Sequence, residues 1–117
     1  MLKTTATVEE IGEEIADFLS SRIKVDRLIV FGSYAYGRPR KDSDLDMAVI
    51  SEDLSKMDIW ERIKLFAQAA LAVDSRVELK GFTPREFRSP ERGSLLEMIK
   101  MRGKIIWKTT RATLRAS

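Results

Sequence analysis

The sequence contains neither cysteine nor histidine. Without cysteine there is no disulfide framework, no thiol nucleophile and no Cys-ligated zinc or iron–sulfur site. Without histidine there is no Ser-His-Asp triad, no imidazole metal ligand and no histidine general base. Any catalysis by this chain must therefore use carboxylates, hydroxyls, lysine, arginine, backbone groups or a metal held by carboxylates.

Long apolar runs are also missing. No segment approaches the roughly 18 apolar residues that a membrane-spanning helix requires. The acidic residues Glu9, Glu10, Glu13 and Glu14 occupy the region where a signal peptide would carry its apolar core. We therefore expect no membrane association and a cytoplasmic protein.

The composition is that of an ordinary globular domain. Of the 117 residues, 44% are hydrophobic and 33% are charged, and the net charge is +3. We expect one folded domain over residues 1–108, followed by a basic C-terminal tail at 109–117. Residues 100–117 carry six basic groups and no acidic one. A solvated terminus is the favoured interpretation of this excess, with nucleic acid or an acidic partner as the alternatives.

Hydrophobic spacing predicts helices alternating with short strands. Helices are expected at 7–21, from 58 onward and near 95–103, and strands at 28–31, 45–50, 77–82 and 105–107. The order α-β-β-α-β-α-β indicates an α/β (α+β) fold in which helices pack on a sheet. For the second long helix, the residues expected to form the buried face are Ile59, Ile63, Phe66, Ala67, Ala70 and Leu71.

Asp44 and Asp46 stand two residues apart at the start of a predicted strand. Because side chains alternate along a strand, both carboxylates point to one face, about 7 Å apart along the chain. Like charges this close raise each other's pKa unless a cation lies between them. A hard divalent cation such as Mg²⁺, which prefers oxygen ligands, suits the pair. Taken alone, the pair is also typical of a solvated strand start.

Gly32 and Ser33 follow the first predicted strand. Glycine lets a ligand approach the backbone closely, and Ser33 is placed to open a short helix whose free N–H groups could bind a phosphate. A P-loop is excluded, because Arg38 and Pro39 follow Gly37 where that motif requires lysine and a hydroxyl residue. A Gly-Ser pair alone is a common turn, so the information lies in its spacing to the two aspartates.

The spacing of these groups resembles the signature of the nucleotidyltransferase superfamily that includes DNA polymerase β. The signature residues here are Gly32-Ser33, ten further residues, and then Asp44-x-Asp46. Together with the chain length, segments 34–37 and 43–46 resemble the minimal nucleotidyltransferase (MNT) family over about residues 8–108. The resemblance implies a polymerase β-like fold with a mixed sheet of about four strands.

The resemblance also implies roles for individual residues. Asp44 and Asp46 would hold two Mg²⁺ ions, and Glu78 would take the place of the family's third carboxylate, which is usually aspartate. Asp74 is the alternative for that place, although it precedes the predicted strand. Gly32 and Ser33 would bind the phosphates of the nucleotide.

Further side chains near the signature could assist the nucleotide. Arg38, Arg40 or Lys41 would steady the triphosphate, or would form a solvated loop. Tyr34 and Tyr36 would stack on a base, or would serve packing.

The function implied is transfer of a nucleoside monophosphate, with AMP from ATP favoured, to a hydroxyl with release of pyrophosphate. The family resemblance favours a HEPN-domain ribonuclease toxin as acceptor, with this chain as its antitoxin. Two alternatives stay open: a binding module that neutralises a partner by contact, and transfer to RNA or a small molecule. The oligomeric state is also open, because an exposed Trp60 or Trp107 would mark a partner surface, although packing in the core is expected for at least one of them.

Overall fold

The computed structural model describes residues 6–40 and 43–109. Its elements, in chain order, are α1 (Val8–Ser20), β1 (Arg27–Phe31), α2 (Ser33–Tyr36), β2 (Leu45–Ile50), a 3₁₀ helix (Glu52–Lys56), α3 (Ile59–Val73), β3 (Val77–Phe82), α4 (Pro84–Arg88), α5 (Leu95–Arg102) and β4 (Lys104–Lys108). The predicted order of seven main elements is confirmed. The predicted basic tail, apart from Thr109, and Lys41 lie outside the described residues.

The four strands form one mixed sheet in the order β3-β2-β1-β4. β1 pairs antiparallel with both β2 and β4, whereas β2 and β3 run parallel. The larger core cluster lies between one face of the sheet and helices α1 and α3. A smaller cluster on the other face joins Ile29, Phe31, Ala48 and Ile50 to Ile99 of α5. This second face is less completely covered, and it is the face on which Asp46 lies.

The long helices begin at side-chain caps. At α1, the Thr7 hydroxyl accepts a hydrogen bond from the Glu10 N–H at 3.1 Å, and the Glu10 carboxylate accepts one from the Thr7 N–H at 2.8 Å. At α3, Asp58 and Glu61 form the same reciprocal pair, at 2.8 and 2.9 Å. Each pair satisfies two donors that the helix itself leaves unbonded.

The predicted buried face of α3 is wrong in part. The helix buries Leu65, Ala69 and Val73. In contrast, Ile59 is 62% exposed, Ile63 51% and Leu71 80%. The reason is that apolar residues cover well over half of the helix circumference, so the 3.6-residue period fits more than one face. Contact with the sheet and with α1 selects the face that is buried.

The two tryptophans have different environments. Trp60 on α3 is 75% exposed. Trp107 on β4 is partly buried and packs against the larger core cluster. The expectation that at least one tryptophan belongs to the core is therefore confirmed. Across residues 6–40 and 43–109, none of the helices has the length and apolar character needed to cross a membrane.

Replacing Asp58 with alanine should lower the free energy of unfolding by about 1 kcal/mol, because the Glu61 N–H loses its acceptor at the start of α3. Urea denaturation monitored by circular dichroism measures the change. Asp58→Asn is the matched control, since asparagine also caps well and should lose only a few tenths of that amount. Equal losses in both variants would show that the carboxylate charge, rather than the hydrogen bond, stabilises the helix start.

Candidate active site

Gly32 forms the turn between β1 and α2. Its φ of 74° lies in the left-handed region that favours glycine, and α2 begins at the next residue. The Gly32 carbonyl accepts hydrogen bonds from the N–H groups of Ala35 and Tyr36 at 3.0 and 3.2 Å. The prediction that Ser33 opens a short helix is confirmed.

The Asp46 carboxylate lies against this turn. A Cβ atom added to Gly32 would stand 2.5 Å from Oδ2 of Asp46, so the carboxylate would have to move. Glycine at position 32 therefore provides the positive φ of the turn and leaves the space that the carboxylate occupies. The contact joins the two halves of the sequence signature.

β2 brings the predicted carboxylates to one end of the sheet. In the register of the strands, Asp46 is opposite Phe31 of β1 and opposite Glu78 of β3. Leu45 and Met47, which flank Asp46, are buried on the opposite face. Asp44 directly precedes β2, and its carboxylate is near enough to that of Asp46 to affect its pKa. Asp44 and Glu78 are exposed, and Asp46 between them is half-buried.

The charges around Asp46 disfavour its ionised form. Burial raises the pKa of the Asp46 carboxyl above its ordinary value, the nearby Glu78 and Asp44 carboxylates raise it further, and Lys80 opposes them. Each of these carboxylates offers oxygen ligands, and a divalent cation among them would relieve their repulsion. The donor chemistry therefore fits Mg²⁺. In the described part of the chain, however, no three acidic side chains already converge as a metal-binding group.

The alternative third carboxylate, Asp74, is engaged elsewhere. It follows the last turn of α3, and its carboxylate forms an ion pair with Arg76 in which Oδ2 lies 2.8 Å from Nη2. Its side chain is 8% exposed. Asp74 is thus held by Arg76, whereas Glu78 lies beside Asp46 in the register of β2 and β3. A role for Glu78 as the third ligand stays a prediction.

Tyr34 and Tyr36 pack on the protein. The Tyr34 hydroxyl accepts a hydrogen bond from Nη1 of Arg76 at 3.4 Å. On the other side of α2, the Tyr36 hydroxyl lies 3.4 Å from Sδ of Met98, and the Arg102 guanidinium stacks 4.4 Å from the Tyr36 ring centre. The two tyrosines thus connect the short α2 helix with Arg76, which directly precedes β3, and with α5.

These contacts also identify residues that no sequence pattern singles out. Arg76, Met98 and Arg102 are distant in sequence from α2, and no local pattern connects them with Tyr34 or Tyr36. Only the folded chain shows that they position the turn after β1.

Two of the predicted basic side chains, Arg38 and Arg40, lie in the described part of the chain, on the exposed segment after α2. Within residues 6–40 and 43–109, neither forms an ion pair with the carboxylates. The Arg40 N–H donates a hydrogen bond to Oγ of Ser43 at 2.7 Å. A role for either arginine in binding phosphate stays a prediction.

Comparison with known proteins agrees with this geometry. The family model for polymerase β nucleotidyltransferases matches residues 13–111. No curated protein matches the sequence at a significant level. The family match spans the sheet and all of the candidate site, and the chain belongs to the polymerase β nucleotidyltransferase family.

Solved structures of toxin–antitoxin complexes contain chains similar to this one. A toxin–antitoxin complex with AMP-PNP contains a chain 29% identical to this one, with a TM-score of 0.62 over 93% of this chain and 80% of that chain. A complex of a tri-AMPylated Shewanella oneidensis HEPN toxin with an MNT antitoxin matches at 27% identity, with a TM-score of 0.54 over 90% and 76%. These similarities confirm the predicted resemblance to minimal nucleotidyltransferases of toxin–antitoxin pairs.

A more distant structure shares only the fold. A candidate nucleotidyltransferase of Sulfolobus solfataricus is 17% identical, with a TM-score of 0.64 over 88% of this chain and 82% of that chain. The predicted polymerase β-like fold is confirmed.

Replacing Gly32 with alanine should destabilise the protein more than the same change at Gly93. Both glycines have positive φ, at 74° and 79°. Only Gly32 faces a neighbour, however, because a Cβ at Gly93 would meet nothing within 4 Å. Gly93→Ala should cost about 1 kcal/mol of unfolding free energy from backbone strain, and Gly32→Ala clearly more.

Denaturation of a double variant tests the origin of the excess. In an Asp46→Ala background the carboxylate is gone, so the penalty of Gly32→Ala should fall to that of Gly93→Ala. An unchanged penalty would show that the Asp46 contact does not constrain position 32.

Asp46→Asn should stabilise the protein at neutral pH when divalent metal is removed with a chelator. The raised pKa means that the folded state binds this proton more tightly than the unfolded state does. Stability is therefore lost as the pH rises from the ordinary carboxyl pKa through the raised one, and asparagine avoids that loss.

Thermal unfolding at neutral pH and at a pH below the ordinary carboxyl pKa measures this effect. The two proteins should differ at neutral pH and converge at acid pH, where Asp46 is protonated in both states. Asp17→Asn, at an exposed position on α1 across the sheet, should show no such gain. A lower melting temperature for Asp46→Asn at neutral pH would contradict the expectation.

Proposed function

We propose that this chain transfers AMP from ATP, with divalent metal, to a hydroxyl group of a HEPN-domain toxin and thereby acts as its antitoxin. The observation that carries the proposal is the position of Asp46, which contacts the Gly32 turn on one side and is paired in register with Glu78 on the other. A phosphate-binding turn and a carboxylate cluster are thus adjacent.

The phosphates of ATP would bind at the Gly32–Ser33 turn. Backbone N–H groups at the start of α2 and the Ser33 hydroxyl supply donors there. Since α2 is held by Tyr34 and Tyr36, the donors keep their positions when the nucleotide enters. Anchoring the two outer phosphates at this turn leaves the α-phosphate close to the carboxylates.

Asp44, Asp46 and Glu78 would hold two Mg²⁺ ions, which supply charge stabilisation for the attacking and leaving oxygens when bound. Glu78, an exposed residue of β3, would accept the proton of the acceptor hydroxyl. The hydroxyl oxygen then forms a bond to the α-phosphorus, the bond to the β-phosphate oxygen breaks, and pyrophosphate leaves. The step is balanced: AMP is bonded to the acceptor oxygen, the proton is on Glu78, and pyrophosphate is the leaving group.

The nature of the acceptor is supported by the relatives. One solved complex contains a toxin modified by AMP, and another contains an ATP analogue. The sequence identities of 27% and 29% to these chains support the same type of reaction here.

Incubation with ATP labelled at the α-phosphate and a HEPN-domain protein tests the proposal. Label should appear on the HEPN protein with Mg²⁺ and not with a chelator. Asp44→Asn and Asp46→Asn should each lower the rate by about 100-fold or more, because metal-held charge stabilisation is worth several kcal/mol. Asp17→Asn is the control for removal of one negative charge and should keep the wild-type rate.

Two outcomes would overturn the proposal in different ways. If the two proteins form a complex but no nucleotide transfers label, the chain neutralises its partner by contact alone. If label appears on RNA or on a small molecule and not on the protein, the reaction type stands and the acceptor is wrong.

A further inference from the structure

The outer edge of β3 is available for pairing. The Arg76 carbonyl accepts a hydrogen bond from the Leu45 N–H, and the Phe82 carbonyl accepts one from the Ser51 N–H. The N–H and C=O groups of the even-numbered residues of β3 therefore point toward β2. The N–H and C=O groups of Leu79 and Gly81 therefore point away from the sheet. Within the described ranges no strand pairs with this edge. Such an edge is a template for another strand.

An exposed apolar stripe of α3 borders the same edge. Phe66 marks the side of α3 that faces β3, because a Cβ at Gly81 would stand 2.9 Å from Cζ of Phe66. Ile63 and Ile59 precede Phe66 by three and seven residues and so lie on its side of the helix. Their exposures of 51% and 62%, with 80% at Leu71, mark an apolar surface in contact with solvent. The exposed Ala67 lies between Ile63 and Leu71 at the same four-residue spacing.

We propose that two copies of this chain associate through this β3–α3 surface, defined by the outer edge of β3 and by Ile59, Ile63, Ala67 and Leu71 of α3. In the dimer, β3 of the two copies would pair antiparallel about a twofold axis and join the two sheets into one.

The charges of β3 select one register for that pairing. Residues whose backbone N–H and C=O groups point away from the sheet must pair with each other. The twofold axis can therefore pass through residue 78, 79 or 80. An axis at Leu79 places Glu78 of each copy opposite Lys80 of the partner subunit. The dimer then contains two such pairs, and opposite charges on neighbouring strands attract each other. An axis at Glu78 or Lys80 would instead place that residue opposite its own copy and bring like charges together. Glu78 and Lys80 are both exposed on the same face of β3.

The helices complete the interface. Leu79 projects to the face covered by α3, since it packs against the larger core cluster. The twofold axis at Leu79 therefore brings α3 of both copies side by side and antiparallel, with the small Ala67 allowing close approach. Leu95, Met101 and Ile105 lie outside this surface and stay available to a different protein.

Sedimentation of the purified chain tests the dimer. The mass should be that of two 13.4 kDa chains. Ile63→Asp should raise the dimer dissociation constant by about 100-fold or more, because the symmetry places two unpaired carboxylates in the apolar contact. Met101→Asp, at a position 76% exposed on α5, is the matched control and should remain dimeric. Circular dichroism verifies that both variants fold.

A crosslink tests the register. Because the chain has no cysteine, Leu79→Cys introduces a single thiol. Residues on the axis of an antiparallel pair lie about 5.5 Å apart between Cα atoms. Leu79→Cys should therefore crosslink through a short bismaleimide, and Met101→Cys should not. Lys80→Glu should weaken the dimer, and the double change Glu78→Lys with Lys80→Glu should restore it.

Several outcomes would overturn the proposal. A wild-type chain that stays monomeric up to millimolar concentration excludes the dimer, as does equal crosslinking of the two cysteine variants. If the chain alone is monomeric and Ile63→Asp abolishes binding to the HEPN protein, the surface belongs to that protein. None of these measurements reads nucleotide transfer, so the proposed function can stand or fall separately.

Discussion

Backbone hydrogen bonding fixes β2 between an antiparallel and a parallel neighbour, and the candidate site depends on that double register. The antiparallel register with β1 places Asp46 beside Phe31, the last residue of that strand, and hence against Gly32. The parallel register with β3 places Glu78 on the other side of Asp46. A slip of one residue in either pairing would turn the carboxylates to the buried face. Buried Leu45 and Met47 on the opposite face prevent that slip.

The same arrangement makes the site a source of instability in the free protein. A half-buried carboxylate with two like charges nearby opposes folding, and Lys80 offsets only part of the repulsion. The surrounding structure compensates with fully buried apolar side chains on β1 and β2. A cation would remove the repulsion, so the ligand-binding and folding energies of this chain are linked through Asp46.

Local chemistry made much of the fold predictable. Helix caps are built from neighbouring residues, so Thr7 with Glu10, and Asp58 with Glu61, indicate where α1 and α3 begin. The same kind of pattern, Thr83 with Glu86 and proline between them, also marks the start of α4. The contact of Gly32 with Asp46 follows from the spacing of the signature once β1 and β2 are recognised as neighbours.

Features that depend on contacts between residues far apart in the sequence were harder to predict. The buried face of α3 could not be chosen by periodicity, because Ile63 and Leu65 are equally apolar and only the position of the sheet distinguishes them. The sequence likewise left open whether Tyr34 and Tyr36 bind a base or pack. Their partners, Arg76 and Met98, are brought close only by the fold.

The strand order has a consequence for the growing chain on the ribosome. β1 is an inner strand, but its second neighbour, β4, is the last strand in the described sequence. During synthesis β1 can pair with β2 soon after both emerge, and β3 can follow, so the site end of the sheet assembles early. The other edge of β1 must wait until residues 104–108 are made. Through that interval the nascent chain carries an open strand edge, and this is the stage at which it is most exposed to wrong pairing.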